Sequence, residues 1–159
     1  MQFAEAGFTI DMALRLMNAA MIFGAEAERF STLDACLVDE YTGIVDCYKV
    51  GAHVSFVRHK RRTEVIEADS LPMGASASLE ALPFRSYLEA GDYLVLVTDG
   101  VLEYLQVEDA VEMLRQLIEE LADTDAVTFA RKIIERVLLF TGGTAADDMT
   151  VLVLKALER

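Results

Sequence analysis

Residues 93–100 read Tyr93-Leu94-Val95-Leu96-Val97-Thr98-Asp99-Gly100, and the fold follows from how that run has to be buried. An apolar stretch with no polar alternate cannot leave one face in water, so the pattern is that of a central strand covered on both faces. Upstream, Glu89-Ala90-Gly91-Asp92 is a turn signal, and residues 84–88 form the strand before it. Downstream, Val111, Leu114, Leu117 and Ile118 mark a helix over 107–121, and Phe129, Ile133 and Val137 a second over 126–140; both have polar outer faces. A glycine-containing loop (141–146) then leads into a last strand, 149–154.

Working toward the N-terminus, 69–77 is a loop punctuated by Pro72 and Gly74. Before it lie strands at 30–39, 44–50, 54–57 and 63–66, with Gly43 closing the first turn. Residues 8–23 are helical by the spacing of Ile10, Leu14, Met17 and Met21, with Thr9 or Asp11 as N-cap, Gly24 as terminator and the methionines as core filler. Helix, strands, two helices and strand is not the strand–helix alternation of a doubly wound sheet. A layered α/β or α+β sandwich is expected instead.

At 159 residues the chain suits one domain. With 53% hydrophobic and 26% charged residues it reads as globular. Its apolar runs are far shorter than a bilayer span, and Met1-Gln2-Phe3-Ala4-Glu5 lacks the basic leader of a signal peptide, so no membrane contact is expected of this stretch. A net charge of −13 argues against a nucleic-acid partner. The one basic cluster, Arg58-His59-Lys60-Arg61-Arg62, reads as a solvated hairpin tip. Cys36 and Cys47 lie on neighbouring strands, close enough to meet across a hairpin; they read as two small buried residues of a reducing compartment, without metal-ligand spacing. His53 and His59 read as structural or solvent-facing, and no histidine–carboxylate arrangement surrounds Ser31, Thr32 or Ser55 to make a serine nucleophile.

The candidate chemistry lies at two strand ends. Asp99-Gly100 closes the apolar strand, with a loop expected before the next helix, and Asp147-Asp148-Met149-Thr150 opens the last strand. A carboxylate at the end of a buried strand is costly unless a cation or donors offset its desolvation. If the two strands are neighbours, Asp99 and Asp147 converge on one point, suited to a hard, oxygen-preferring ion. A plain strand-end turn and a plain loop-to-strand cap suit the same residues equally well.

Val97-Thr98-Asp99-Gly100-Val101 and Asp147-Asp148-Met149-Thr150-Val151 resemble the two C-terminal signatures of the metal-dependent (type 2C) protein phosphatases. Further segments are similar to one branch, the phosphatase domain of stage II sporulation protein E. They are Phe30-Ser31-Thr32-Leu33-Asp34, Lys49-Val50-Gly51-Ala52 before Ser55-Phe56-Val57, Leu71-Pro72-Met73-Gly74, and Gly91-Asp92. The resemblance implies two packed β-sheets flanked by helices, an αββα sandwich of the α+β class. It implies a pair of manganese or magnesium ions, and hydrolysis of phosphoserine or phosphothreonine by a metal-activated water. It makes Asp99 and Asp147 metal ligands and Asp148 a supporting residue of the catalytic site. It also implies a cytoplasmic enzyme, in a parent chain with membrane segments of its own, acting on a phosphorylated regulator of the anti-anti-sigma type.

The family pattern includes an earlier Asp-Gly motif whose carboxylate bridges the metals, and no Asp-Gly precedes Asp99. The expectation is an N-terminally truncated phosphatase domain over 1–159, with weak metal binding and little activity. The first helix would then expose its apolar side and invite homodimerisation. The competing reading is a non-catalytic interaction domain that keeps the fold, docking through the acidic helical face of residues 107–140.

Overall fold

The computed structural model describes residues 9–24, 30–52, 54–60, 62–79, 83–105, 107–140 and 148–158. Along them run helix α1 (Ile10–Gly24), strands β1 (Leu33–Val38), β2 (Ile44–Val50), β3 (Val54–Arg58), β4 (Thr63–Glu67), β5 (Phe84–Tyr87) and β6 (Tyr93–Val97), helices α2 (Asp99–Leu105), α3 (Ala110–Glu120) and α4 (Ala126–Phe140), and strand β7 (Val151–Lys155). The strands make two sheets, in orders β1-β2-β5 and β4-β3-β6-β7, so the expected α+β class stands. By internal packing the chain divides into two units, Met1–Leu37 with Asp46–Ala52 and Ala68–Arg85, and Val38–Val45 with His53–Glu67 and Ser86–Arg159.

In the first unit, Leu14 of α1, Val50, Met73 and Leu79 form the buried core, with Ile10, Met21, Leu33 and Tyr48 packed on it. Thr9 is the cap, accepting from the Met12 amide at 3.4 Å, while Asp11 instead pairs with Arg15 at 2.9 Å. The methionines are not all core filler: Met12 and Met17 are exposed, as are Leu16 and Phe23. Buried Asn18 holds the 73–76 loop with both ends of its amide, donating to the Ser76 carbonyl and accepting from the Gly74 amide, each at 2.8 Å. The Lys49 ammonium is buried beside the Asp34 carboxylate at 2.7 Å. Cys36 and Cys47 face each other with Cα atoms 4.1 Å apart and are joined as a disulfide, which corrects the expectation of two separate thiols.

In the second unit β6 is the inner strand expected of its sequence. It pairs antiparallel with β3 on one side (Phe56↔Val95) and with β7 on the other (Val95↔Val153). Tyr93, Leu94, Val95 and Val97 are all buried. Helices α2 to α4 cover the sheet through Val101, Tyr104, Leu114, Ile118, Phe129, Ile133 and Val137. At the start of β6 the Tyr93 ring stacks on Phe129 with centroids 4.3 Å apart. The Tyr93 hydroxyl donates to the Thr124 carbonyl at 2.6 Å and accepts from the Thr124 amide at 2.9 Å.

The basic tip is not wholly solvated. Arg58 is buried, its guanidinium bonded to Asp123 at 2.6 Å and to the Leu121 carbonyl at 2.9 Å, and it lies 5.3 Å from the Tyr93 ring centroid, a cation–π distance. Lys60 and Arg62 do face solvent; Arg61 lies outside the described residues. The expected helix over 107–121 is observed as α3, capped by Asp109, whose carboxylate accepts from the Glu112 amide at 3.0 Å. The loop expected over 141–146 lies outside the described residues.

Gly51 adopts φ +61°, and a Cβ there would sit 2.7 Å from Pro72 Cα. Left-handed backbone and overlap with another main chain cannot both relax, so Gly51→Ala should lower the unfolding free energy measured by urea denaturation by about 2 kcal/mol or more. Phe129→Ala, which opens a hole beneath Tyr93, should cost about 3–5 kcal/mol in the same measurement. At the start of α4 the hydroxyl and amide of Thr128 hold the Asp125 carboxyl at about 2, against an ordinary 3.8. A depressed folded-state value stabilises above the ordinary pKa, and that contribution is lost as pH falls through about 2. Asp125→Ala should therefore melt earlier than the wild type at neutral pH, with the gap closing near pH 2.

Candidate metal centre

The two acidic motifs come from opposite strands of one ladder. β6 and β7 pair through Val97↔Val151, and one step further the Thr98 amide donates to the Thr150 carbonyl at 3.1 Å. The Thr150 amide returns a bond to the Thr98 hydroxyl at 2.9 Å. Side-chain and main-chain groups thus clasp the ladder where both chains are about to leave it. Asp99 is the residue after Thr98, and Asp148 lies two before Thr150.

Beyond the clasp the two chains part. β6 runs directly into helix α2, which begins at Asp99 itself, so the loop expected after Asp99-Gly100 is absent. The local reason is that Thr98 already starts the turn, its carbonyl accepting from the Val101 amide at 3.0 Å. Gly100 and Val101 are buried against the core side, while Asp99 stays exposed. The Asp99 carboxylate accepts from the Gly100 amide at 3.0 Å, and a negative group is favoured at a helix start. Asp148 is exposed and Met149 packs on the core of the unit. Asp147 lies outside the described residues, as does His53.

Carboxylate oxygens are hard donors, so Asp99 and Asp148 fit a divalent cation in kind. Among the described residues no group of three or more His, Cys, Asp or Glu side chains gathers for an ion. Among the described residues this corner thus offers carboxylates and no complete set of ligands.

The residues that sequence reasoning left without a role are Thr98 and Thr150. Their signal was available in the strand register, since pairing β6 with β7 sets them opposite each other. A second polar pair had no such signal. His59 Nδ1 lies 2.8 Å from Asp92 Oδ2, and that carboxylate, buried, also accepts from the Glu89 amide at 2.9 Å. The pair sits at the other end of β6 from Asp99, so it orders a turn and does not face the acidic corner.

A family model described as stage II sporulation protein E matches residues 1–157. Stage II sporulation protein E of Priestia megaterium is 31% identical over 155 residues, which cover 97% of this chain and 26% of that protein. Phosphoserine phosphatase RsbU of Bacillus subtilis is 33% identical over 92 residues, covering 57% of this chain and 28% of the other. Among solved structures, the PP2C phosphatase domain with a fragment of the regulatory domain of SpoIIE from Bacillus subtilis superposes with a TM-score of 0.87 at 26% identity, covering 97% of this chain and 47% of that one. The fold is the α+β sandwich of those phosphatases, and the chain spans 18% to 28% of the length of the curated relatives it matches.

Removing the Thr98 hydroxyl leaves the Thr150 amide without its acceptor. Thr98→Val should cost about 1 kcal/mol of stability. It should also raise the hydrogen-exchange rate at the Thr150 amide more than at Val153, in the middle of the same strand.

Proposed function

The chain belongs to the stage II sporulation protein E family, and on that premise we propose that it is the metal-binding portion of a protein serine/threonine phosphatase that removes phosphate from a serine of a small regulator of the anti-anti-sigma type. The observation that carries the reading is the Thr98–Thr150 clasp, which joins the residue before Asp99-Gly100 to the last residue of the Asp-Asp-Met-Thr motif. In this proposal Asp99 and Asp147 are the ligands of one ion, and Asp148 orients that corner from beside them. Manganese or magnesium fits the donors, all carboxylate oxygen, and the remaining positions fall to water and phosphate oxygens.

Each residue present has a physical task. Asp99, at the first position of α2, projects from a backbone fixed by the clasp, so its oxygens keep their place relative to β7. Asp148 adds negative charge to the corner; this draws in a cation and, unaided, repels a phosphate ester. The bound ions supply the charge that reverses that repulsion and lower the pKa of water. The amide and hydroxyl of Thr98 bond to the carbonyl and amide of Thr150, which holds the two strand ends at a fixed spacing. Proton transfer to the leaving seryl oxygen is assigned to no side chain of this chain.

The family's bridging carboxylate has no counterpart among the Asp-Gly pairs of these 159 residues. The polypeptide of this length should accordingly bind manganese weakly and turn over a phosphoserine peptide far more slowly than a version extended at its N-terminus. Equal turnover by the two would contradict the assignment. In the extended version, Asp99→Asn and Asp147→Asn should each lower turnover at least ~100-fold with little change in melting temperature. A collapse of the fold in those variants would instead make the two residues structural.

A further inference from the structure

A cleft of about 660 Å³ opens in the second unit at the end of the β6–β7 ladder away from Asp99. Its walls are backbone fixed by hydrogen bonds. Gly43 accepts from the Leu88 amide at 2.8 Å, and Ala156 accepts from the Gly91 amide at 2.8 Å and donates to the Asp92 carbonyl at 2.9 Å. The 39–43 turn is held from within, since the Asp39 carboxylate accepts from the Tyr41 and Thr42 amides at 2.8 and 3.1 Å. Gly43, at φ +76°, has no room for a side chain: a Cβ there would lie 3.1 Å from the Tyr87 ring and 2.3 Å from the Leu88 carbonyl oxygen. The cleft is therefore a built surface rather than a gap between loose loops.

Its lining is apolar and acidic together. Tyr41 is 86% exposed, Leu157 75% and Tyr87 50%, three large side chains held in water around one hollow. Glu40, Glu89 and Glu158 surround them and are exposed. Among the described residues of the lining the one cation, Lys155, turns away: its ammonium donates to the Thr124 carbonyl at 2.8 Å and lies 5.0 Å from the Tyr93 ring centroid. Carboxylates beside aromatic faces attract guanidinium and ammonium groups, and the hollow takes an apolar side chain. An anionic or purely apolar occupant would leave the carboxylates opposed or desolvated.

We propose that this cleft docks a basic, apolar-anchored peptide segment of a partner protein. Arginine or lysine side chains would meet Glu89 and Glu158, and a leucine-sized side chain would sit among Tyr41, Tyr87 and Leu157. The cleft lies past the start of β6 and Asp99 past its end, seven residues away or roughly 20 Å along an extended strand. A segment bound there leaves the acidic corner open, so the docking stands whether or not the phosphatase reading does.

The test is fluorescence anisotropy of a labelled Arg-Leu-Arg-Leu-Arg-Leu peptide, with amide chemical shifts to locate it. Binding should move the amides of Gly43, Glu89 and Leu157. Glu89→Lys combined with Glu158→Lys should weaken it at least ~10-fold, and Tyr41→Ser about 5-fold. Glu120→Lys combined with Glu135→Lys reverses the same charge on the helices and should change it less than ~2-fold. All these positions are exposed, so melting temperatures should hold. A loss as large in the helix-charge control means attraction to a generally acidic surface and overturns the proposal. So does equal binding of a peptide with serine at the leucine positions, or a set of shifted amides elsewhere.

Discussion

The constraint on which the second unit depends is the burial of β6 along both of its edges and on its covered face. A strand of Tyr-Leu-Val-Leu-Val can satisfy its backbone only inside a sheet, so β3 and β7 must take its two edges. Its side chains must be covered, so the helices that follow have to fold back over it. Pairing β7 with β6 also sets Thr150 against Thr98, at the ends of the ladder next to the acidic residues Asp99 and Asp148. Strand order and core are thus consequences of one packing requirement, about 25 cal/mol for each Å² of apolar surface withdrawn from water.

The two ends of that strand are finished differently. At its start, Tyr93 reaches Thr124 through its hydroxyl, stacks on Phe129, and has the cations of Arg58 and Lys155 within cation–π distance. This is a closed arrangement in which most polar atoms have a partner. At its end, two hydrogen bonds join Thr98 to the main chain of Thr150, while the nearby carboxylates of Asp99 and Asp148 are exposed. A rigid start and a clasped, acid-bearing end suit a ladder that must hold a charged corner in place without burying it.

Much of this was legible in the sequence because the signals were strong and local. The apolar run of 93–97, the turn glycines and the helical stripes of 126–140 each depend on a short window, and each appears where expected. The neighbourhood of β6 and β7 is carried by no local pattern and is set by the packing of the whole sheet. What escaped were features decided by contacts distant in sequence. Arg58 looked like part of a solvated tip, yet Asp123 and Leu121, more than sixty residues away, draw it inward. The short helix α2 escaped because Asp-Gly is a turn signal by composition, and only the burial of Val101, Tyr104 and Leu105 makes a helix there worthwhile. Period places Met17 in the apolar stripe and residue type makes Met12 core filler, yet both are exposed, because neither signal says how wide the covered stripe is.

Tyr93 has one further consequence. The chain has no tryptophan and five tyrosines, so its near-ultraviolet circular dichroism is a tyrosine signal. A phenol hydrogen-bonded twice to one residue and stacked at 20° on a neighbouring ring is held in a fixed chiral setting. The molecule thus carries an optical reporter at the start of its central strand, and loosening of that strand end is visible without any label.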